Sequence, residues 1–181
     1  KIICGAQSKC PTTTARNEII GRCRQMGWLP EDIIIMIDHD MLPSTTFFEH
    51  AVEFLHANPG PTVIASPYCG GPPDCFVQVC ERDQNGIVRR VSREEAAVKT
   101  GTQETMLVGT GLFAANMAAF DAVEPPCFDY TYETPAMECA SQTEDFYFCA
   151  KLLAAGGKVF CAWDHWSGHD KSLIVGQPVL E

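Results

Sequence analysis

Two carboxylates one residue apart, Asp38 and Asp40, follow the apolar run Ile33–Ile37. An uninterrupted apolar run of this length predicts a fully buried strand. Groups just beyond the carboxyl end of such a strand lie where open α/β sheets bind their ligands. Carboxylate oxygens there suit a hard cation such as Mg²⁺ or Mn²⁺, which in turn would hold a diphosphate. The alternative is that both aspartates only make turn and cap hydrogen bonds.

A second acidic pair, Glu144 and Asp145, lies in the first turn of a predicted helix. Asp145 heads the core-facing stripe of that helix, which continues one and two turns later with Phe148, Cys149 and Leu152. A carboxylate in this position is either a partner for the positive end of the helix or a group directed into a site. Glu144 lies one residue off the stripe and is expected to position or hydrogen-bond other groups.

Two further segments combine special backbone with polar side chains. Gly109, Thr110 and Gly111 interrupt two apolar strands, and glycine within strands marks a bulge or the close approach of a ligand. Arg16 and Asn17 open the first predicted helix, where a phosphate or a base could be held. A purely structural bulge and an ordinary surface arginine are the alternatives.

His169 follows the last predicted core strand. A neutral imidazole suits Mn²⁺ as a third protein ligand beside carboxylates, and Lys171 could meet a phosphate as a point charge. His165 and His39 compete with His169 for this role. The alternative is that His169 is a surface residue in a tail.

The elements that would position these groups follow from periodicity and turn residues. Helices are predicted over about Ala15–Met26, over Phe47–Ala57 with a Thr46/Glu49 capping box, from Ser92 to Lys99 with Glu95, and from Thr143 to Ala155. Strands are predicted at Lys1–Gly5, Ile33–Ile37, Thr62–Ser66, Cys75–Glu81, Ile87–Val91, Thr105–Val108, Leu112–Ala115 and Lys158–Ala162, with a tail after Ala162. Early strand–helix alternation with a later hairpin predicts an α/β protein with a mixed sheet covered by helices.

Composition limits the classes of function. Of the 181 residues, 46% are hydrophobic and 20% are charged, which excludes wholesale disorder. A net charge of −10 argues against a general affinity for nucleic acid or anionic membrane, although basic residues cluster between Arg82 and Lys99. No apolar stretch approaches the roughly 18 residues of a membrane span.

The ten cysteines are scattered, with neither a Cys-x-x-Cys pair nor zinc-site spacing. Those in apolar segments behave as small core residues when reduced. Cys4 with Cys10, and Cys69 with Cys75, are the candidates for bridges across loops. The default expectation is a reducing, cytoplasmic compartment.

The order of these motifs resembles the GT-A fold of nucleotide-sugar-dependent glycosyltransferases, in particular short bacterial and phage-type relatives of the family 2 enzymes. The resemblance spans about Ala15 to Lys171, and its most specific parts are the segment Val108–Phe120 and the Glu-Asp helix. It implies a GT-A-like, Rossmann-like three-layer sandwich in one domain over residues 1–181. Because only Lys1–Thr14 precedes the Ala-Arg-Asn helix, either an N-terminal strand is absent or the base pocket is reduced.

The resemblance also implies roles for the metal and nucleotide groups. Asp38 and Asp40 match the Asp-x-Asp pair, of which the second binds the metal and the first contacts metal or ribose. His169 matches the late histidine that completes the metal site. Arg16 and Asn17 match a helix opening near the nucleotide pocket.

For the reaction, the resemblance implies that Gly109 to Gly111 form the turn approached by donor and acceptor. Asp145, with Glu144 beside it, matches the acidic pair that supplies the catalytic base of inverting members. The implied activity is transfer of a sugar from a nucleotide-diphosphate sugar to a hydroxyl of a saccharide or other acceptor, with Mn²⁺ or Mg²⁺. A nucleic-acid acceptor has no support from the charge. A retaining enzyme, a nucleotidyltransferase and a non-catalytic nucleotide-sugar-binding module are the alternatives.

Overall fold

The computed structural model describes residues 11–71, 75–131 and 142–170, together with the backbone of residues 174 and 175. Its helices are α1 (Thr12–Gln25), α2 (Phe47–Ala57), α3 (Arg93–Ala97), α4 (Met117–Asp121) and α5 (Glu144–Ala154). Its strands are β1 (Ile33–Ile37), β2 (Met41–Leu42), β3 (Thr62–Ala65), β4 (Val79–Arg82), β5 (Val88–Arg90), β6 (Thr102–Thr105), β7 (Leu107–Val108), β8 (Leu112–Asn116), β9 (Lys158–Ala162), β10 (Gly168–Asp170) and β11 (Ile174–Val175). The predicted first strand, Lys1–Gly5, and the pair Cys4/Cys10 lie outside the described residues.

A mixed five-stranded sheet forms the centre of the fold, with the strand order β1-β8-β3-β9-β6. β3 and β9 run parallel, whereas β1, β3 and β6 are each antiparallel to a neighbour. Two smaller antiparallel sheets flank it, with the orders β11-β10-β2 and β5-β4-β7. The α/β class with a mixed central sheet, predicted from the sequence, is confirmed.

Helices cover both faces of the central sheet, because alternate strand residues are apolar on each side. One face packs against α2 through the buried side chains Phe47, Ala51 and Leu55. The other packs against α1, α4 and α5 through Ile20, Cys23, Met117, Phe120, Phe148, Cys149 and Leu152. The fold is therefore a three-layer sandwich.

The prediction that Ile33–Ile37 is fully buried is wrong. Among the strands that the structure describes, β1 lies at one edge of the central sheet, with β8 as its neighbour. Ile34 and Met36 face the core, but Ile37 is 47% exposed at the end of the strand. An apolar run predicts a strand but not the position of that strand in the sheet, because that position depends on pairing with distant segments.

Two expected local features are absent and one is present. Thr46 precedes α2 but makes no side-chain cap, because its hydroxyl bonds Ser44 and His165 instead. The second predicted capping box, at Ser92 and Glu95, is present. Cys69 and Cys75 are free thiols, so the loop bridge considered for them does not form.

The segment after Ala162 is not a simple tail. Its residues Gly168–Asp170 form β10, which pairs with β2 directly after the Asp-His-Asp turn and brings His169 opposite Met41. No helix in the described part of the chain is long and apolar enough to cross a membrane.

Candidate active site

A buried arginine joins the two acidic segments singled out in the sequence. Arg16, on α1, is 4% exposed, and its Nη2 donates to both carboxylate oxygens of Asp38 at 3.0 Å. Its Nη1 donates to Asp145 Oδ1 at 3.0 Å and to Glu144 Oε1 at 3.4 Å. The end of β1 and the first turn of α5 therefore face the same space, although 106 residues separate Asp38 from Glu144 (144 − 38).

Electrostatic attraction between Arg16 and the surrounding carboxylates stabilises this cluster. Burial lowers the pKa of Arg16, but the nearby charges of Asp145, Asp38 and Glu144 outweigh burial and raise it, so the guanidinium stays protonated. Burial raises the pKa of Asp38, and Arg16 opposes that rise. One cation thus offsets the charge of carboxylates that would otherwise repel one another.

The turn between β7 and β8 completes the cluster. The Thr110 hydroxyl donates to Asp145 Oδ1 at 2.8 Å, and the Thr110 carbonyl accepts from Arg16 Nη2 at 3.1 Å. The carbonyl of Gly111 accepts from the amide of Asp38 at 2.8 Å. The Thr110 hydroxyl and Arg16 Nη1 both donate to Asp145 Oδ1, and these two hydrogen bonds fix the orientation of the Asp145 carboxylate.

Tyr68 explains the two glycines of this turn, and the sequence analysis missed it. A Cβ on Gly109 would collide with the Tyr68 hydroxyl, and one on Gly111 would press against the Met41 sulfur and the Tyr68 ring. The Gly111 amide donates to the Tyr68 hydroxyl at 3.3 Å, and burial raises the pKa of Tyr68. The only sequence signal for Tyr68 is its place just after a buried strand, which is too common to single it out.

The second aspartate of the motif faces the late histidine. Asp40 Oδ2 lies 3.3 Å from His169 Nε2, and the two side chains are 19% and 12% exposed. His169 Nδ1 lies 3.0 Å from the carbonyl oxygen of Cys69, which fixes the ring, and the ring packs edge-on against Tyr68. Contact with Tyr68, which also bonds Gly111, connects this pair to the Arg16 cluster.

The remaining candidates lie elsewhere or outside the described residues. Asn17 bonds the backbone of Cys127 and Phe128, and so ties α1 to the segment after α4. His165 stacks on His50 with ring centres 4.4 Å apart, and His39 is exposed. Lys171 lies outside the described residues, so its predicted phosphate contact stays a prediction.

Fit to a divalent cation can be judged from the donor atoms. Among the side chains that the structure describes, no group of three or more His, Cys, Asp or Glu converges as a ready metal site. Asp40 and His169 supply two donors, an oxygen and a nitrogen, at a separation suited to neighbouring ligands of one ion. Asp38 is turned toward Arg16. Two protein ligands fit an ion that takes its other ligands from substrate phosphate and water.

Glu144 titrates near neutrality in this setting. Burial first, and then the charge of Asp145, raise the pKa of Glu144 from 4.5 to about 7. In that pH range the folded protein holds a proton that the unfolded chain has released, so the free energy of unfolding falls as the pH rises from 4.5 to about 7. Above that range the contribution of Glu144 is constant.

We therefore expect Glu144→Gln to flatten the decline of unfolding free energy across this pH range, measured by urea denaturation at a series of pH values. Glu18→Gln, on the exposed side of α1, is the matched control and should leave the slope as in the wild type. An unchanged slope in Glu144→Gln would contradict the assigned ionisation.

The comparisons with known proteins bear on the fold. No protein-family model matches the sequence, and no curated protein matches it. A crystal structure of A197 from STIV superposes with a TM-score of 0.60 at 13% identity, covering 95% of this chain and 78% of that chain. A crystal structure of GalNAc-T7 with UDP, GalNAc and Mn²⁺ has a TM-score of 0.55 at 16% identity, covering 87% of this chain and 30% of that chain. The chain has a GT-A-like fold.

The chain thus spans less than a third of the length of GalNAc-T7, a GT-A glycosyltransferase. At these identities the likeness extends to the fold alone. Within the GT-A-like fold of this chain, Asp38 follows β1, Thr110 precedes β8 and Asp145 opens α5, so the polar cluster lies at one rim of the central sheet.

Proposed function

We propose that the protein is a metal-dependent glycosyltransferase that moves a sugar from a nucleotide-diphosphate sugar to an acceptor hydroxyl. One observation carries the proposal: Arg16 bonds Asp38 and Asp145 at once, so the acidic motif after β1 and the acidic pair of α5 share one site. The GT-A-like fold supports it, since a structure of the same fold, GalNAc-T7, contains UDP, GalNAc and Mn²⁺.

Asp40 and His169 would hold the divalent cation. Their mixed oxygen and nitrogen donors suit Mn²⁺, with Mg²⁺ as the alternative. When bound, the cation acts as a Lewis acid that neutralises the diphosphate leaving group. Asp38 would contact the ribose or the cation with the lone pairs that Arg16 leaves, and Lys171 would meet phosphate.

Asp145 would serve as the catalytic base of an inverting transfer. The acceptor hydroxyl oxygen attacks the anomeric carbon from the face opposite the diphosphate, and the bond between that carbon and the diphosphate oxygen breaks. The hydroxyl proton goes to the Asp145 carboxylate. Thr110 and Arg16 orient that carboxylate through Oδ1, and Glu144 beside it positions the pair.

Calorimetric titration of nucleotide sugars with and without Mn²⁺ tests the donor site. We expect binding of at least one donor that requires Mn²⁺ and is weakened about tenfold or more in Asp40→Ala and His169→Ala. His165→Ala is the matched control, because the His165 ring stacks on His50 and hydrogen-bonds the Thr46 hydroxyl. A donor affinity that is the same with and without Mn²⁺, and the same in the wild type and His169→Ala, would contradict the proposed metal site.

A further inference from the structure

An exposed aromatic and cationic cluster lies next to the proposed site and has no role in the steps above. The Arg90 guanidinium carbon lies 4.9 Å from the centre of the Phe76 ring and 5.7 Å from that of Phe146. Phe76 is 50% exposed, and Arg90 is exposed as well. Large aromatic surface left in water beside a polar site is typical of a surface that binds a ligand.

The backbone links the cluster to both halves of the proposed site. Phe146 directly follows Asp145 in the first turn of α5. On the other side, the Phe76 carbonyl accepts from the amide of Gly70, and the carbonyl of the preceding Cys69 faces His169 Nδ1. Phe146 is thus one residue from the proposed base, and Phe76 is hydrogen-bonded to the loop that fixes the proposed metal ligand.

Arg90 and its neighbour in β5, Arg89, differ in their ion pairing. Arg89, on the opposite face of the strand, forms a two-pronged ion pair with Glu95. Within residues 11–71, 75–131 and 142–170, no carboxylate forms an ion pair with Arg90, whose described side-chain contacts are the two rings. Within those residues the Arg90 guanidinium has no ion-pair partner, and a guanidinium can donate to an external anion.

We propose that Phe76, Arg90 and Phe146 form an acceptor subsite for a sugar that carries an anionic group, a carboxylate or a phosphate. The aromatic rings offer the flat apolar surface on which the C–H face of a pyranose packs, and Arg90 donates to the anion in a charge-assisted pair. This inference rests on the proposed function, because it places the acceptor hydroxyl beside Asp145.

Binding of three probes, measured by NMR titration of the full chain without nucleotide sugar or metal, tests the subsite. The probes are D-glucuronate, D-glucose 6-phosphate and D-glucose. We expect at least one anionic sugar to bind more tightly than glucose, and Arg90→Gln to weaken its binding about tenfold. Arg89→Gln is the matched control and should change it less than about twofold. Phe76→Ala should weaken the binding of all three sugars, because it removes the packing surface.

The two anionic probes distinguish a carboxylate from a phosphate. If Arg90→Gln weakens the binding of D-glucuronate, the acceptor carries a carboxylate; if it weakens the binding of D-glucose 6-phosphate, the acceptor carries a phosphate. Equal affinity for glucose and both anionic sugars, or equal losses in Arg89→Gln and Arg90→Gln, would overturn the subsite. Arg90-dependent binding without any metal-dependent donor binding would support a site for anionic sugars but refute the transferase, and with it the role of the site as an acceptor subsite. The reverse result would refute the subsite alone.

Discussion

Asp145→Asn is expected to lower the rate of sugar transfer about 10²–10⁴-fold, the range typical of losing a general base. The asparagine amide can still accept from Thr110 and Arg16 through its oxygen, so the fold and the donor site should persist. It cannot take the proton of the acceptor hydroxyl. The dissociation constant of the donor, measured by calorimetry, should therefore stay within about twofold of the wild type.

Glu144→Gln is the matched control for that experiment. Glu144 contacts the same guanidinium from the neighbouring position, at 3.4 Å, and is assigned a positioning role. Its replacement should cost less in transfer rate than Asp145→Asn does. If Glu144→Gln abolished transfer while Asp145→Asn only weakened donor binding, the assignment of the base to Asp145 would fail.

Arg16→Gln is expected to destabilise the protein by about 2–3 kcal/mol, between the costs of breaking an exposed and a fully buried ion pair, because it leaves partly buried carboxylates without a counter-charge. The loss should be smaller at pH 5 than at pH 8, since the raised pKa of Glu144, about 7, leaves that carboxyl neutral at the lower pH. Urea denaturation at the two pH values measures both effects.

Two arginine variants frame this result. Arg16→Lys keeps the charge but loses the planar guanidinium that reaches Asp38 and Asp145 together. Its free energy of unfolding should therefore lie between those of the wild type and Arg16→Gln. Arg24→Gln removes a more exposed ion pair, with Asp121, and should cost less than about 1 kcal/mol. A loss in Arg16→Gln no larger than that in Arg24→Gln would contradict the structural role of the buried cation.

Local signals were enough to predict several elements of the fold. The bounds of α2 and β9 agree with the sequence expectation, because Pro59-Gly60-Pro61 ends α2 and Gly156-Gly157 ends the helix before β9. The hairpin between β4 and β5 also forms, with Asp83 bonding the backbone of Asn85 and Ile87. In each case the residues that decide the structure are neighbours in sequence.

Features set by distant pairing could not be predicted in the same way. Ile37 is exposed at the end of β1, which is the edge of the central sheet among the described strands, and β10 pairs with β2, more than a hundred residues earlier. The helix opening predicts Arg16 near a nucleotide, but nothing in the sequence predicts that its donors reach carboxylates 22 and 129 residues away. No local pattern encodes such a contact, because it is created by the packing of α1 against the rim of the sheet.

Phosphorus NMR of the protein incubated with Mn²⁺ and a panel of nucleotide sugars tests the central claim most directly. The proposed chemistry predicts release of a nucleoside diphosphate, with water or an added sugar as acceptor, and loss of that signal in Asp145→Asn. In a parallel incubation with nucleoside triphosphates and a sugar 1-phosphate, a nucleotidyltransferase would instead release pyrophosphate. Pyrophosphate release, or Mn²⁺-dependent binding with no turnover of any donor, would contradict a glycosyltransferase.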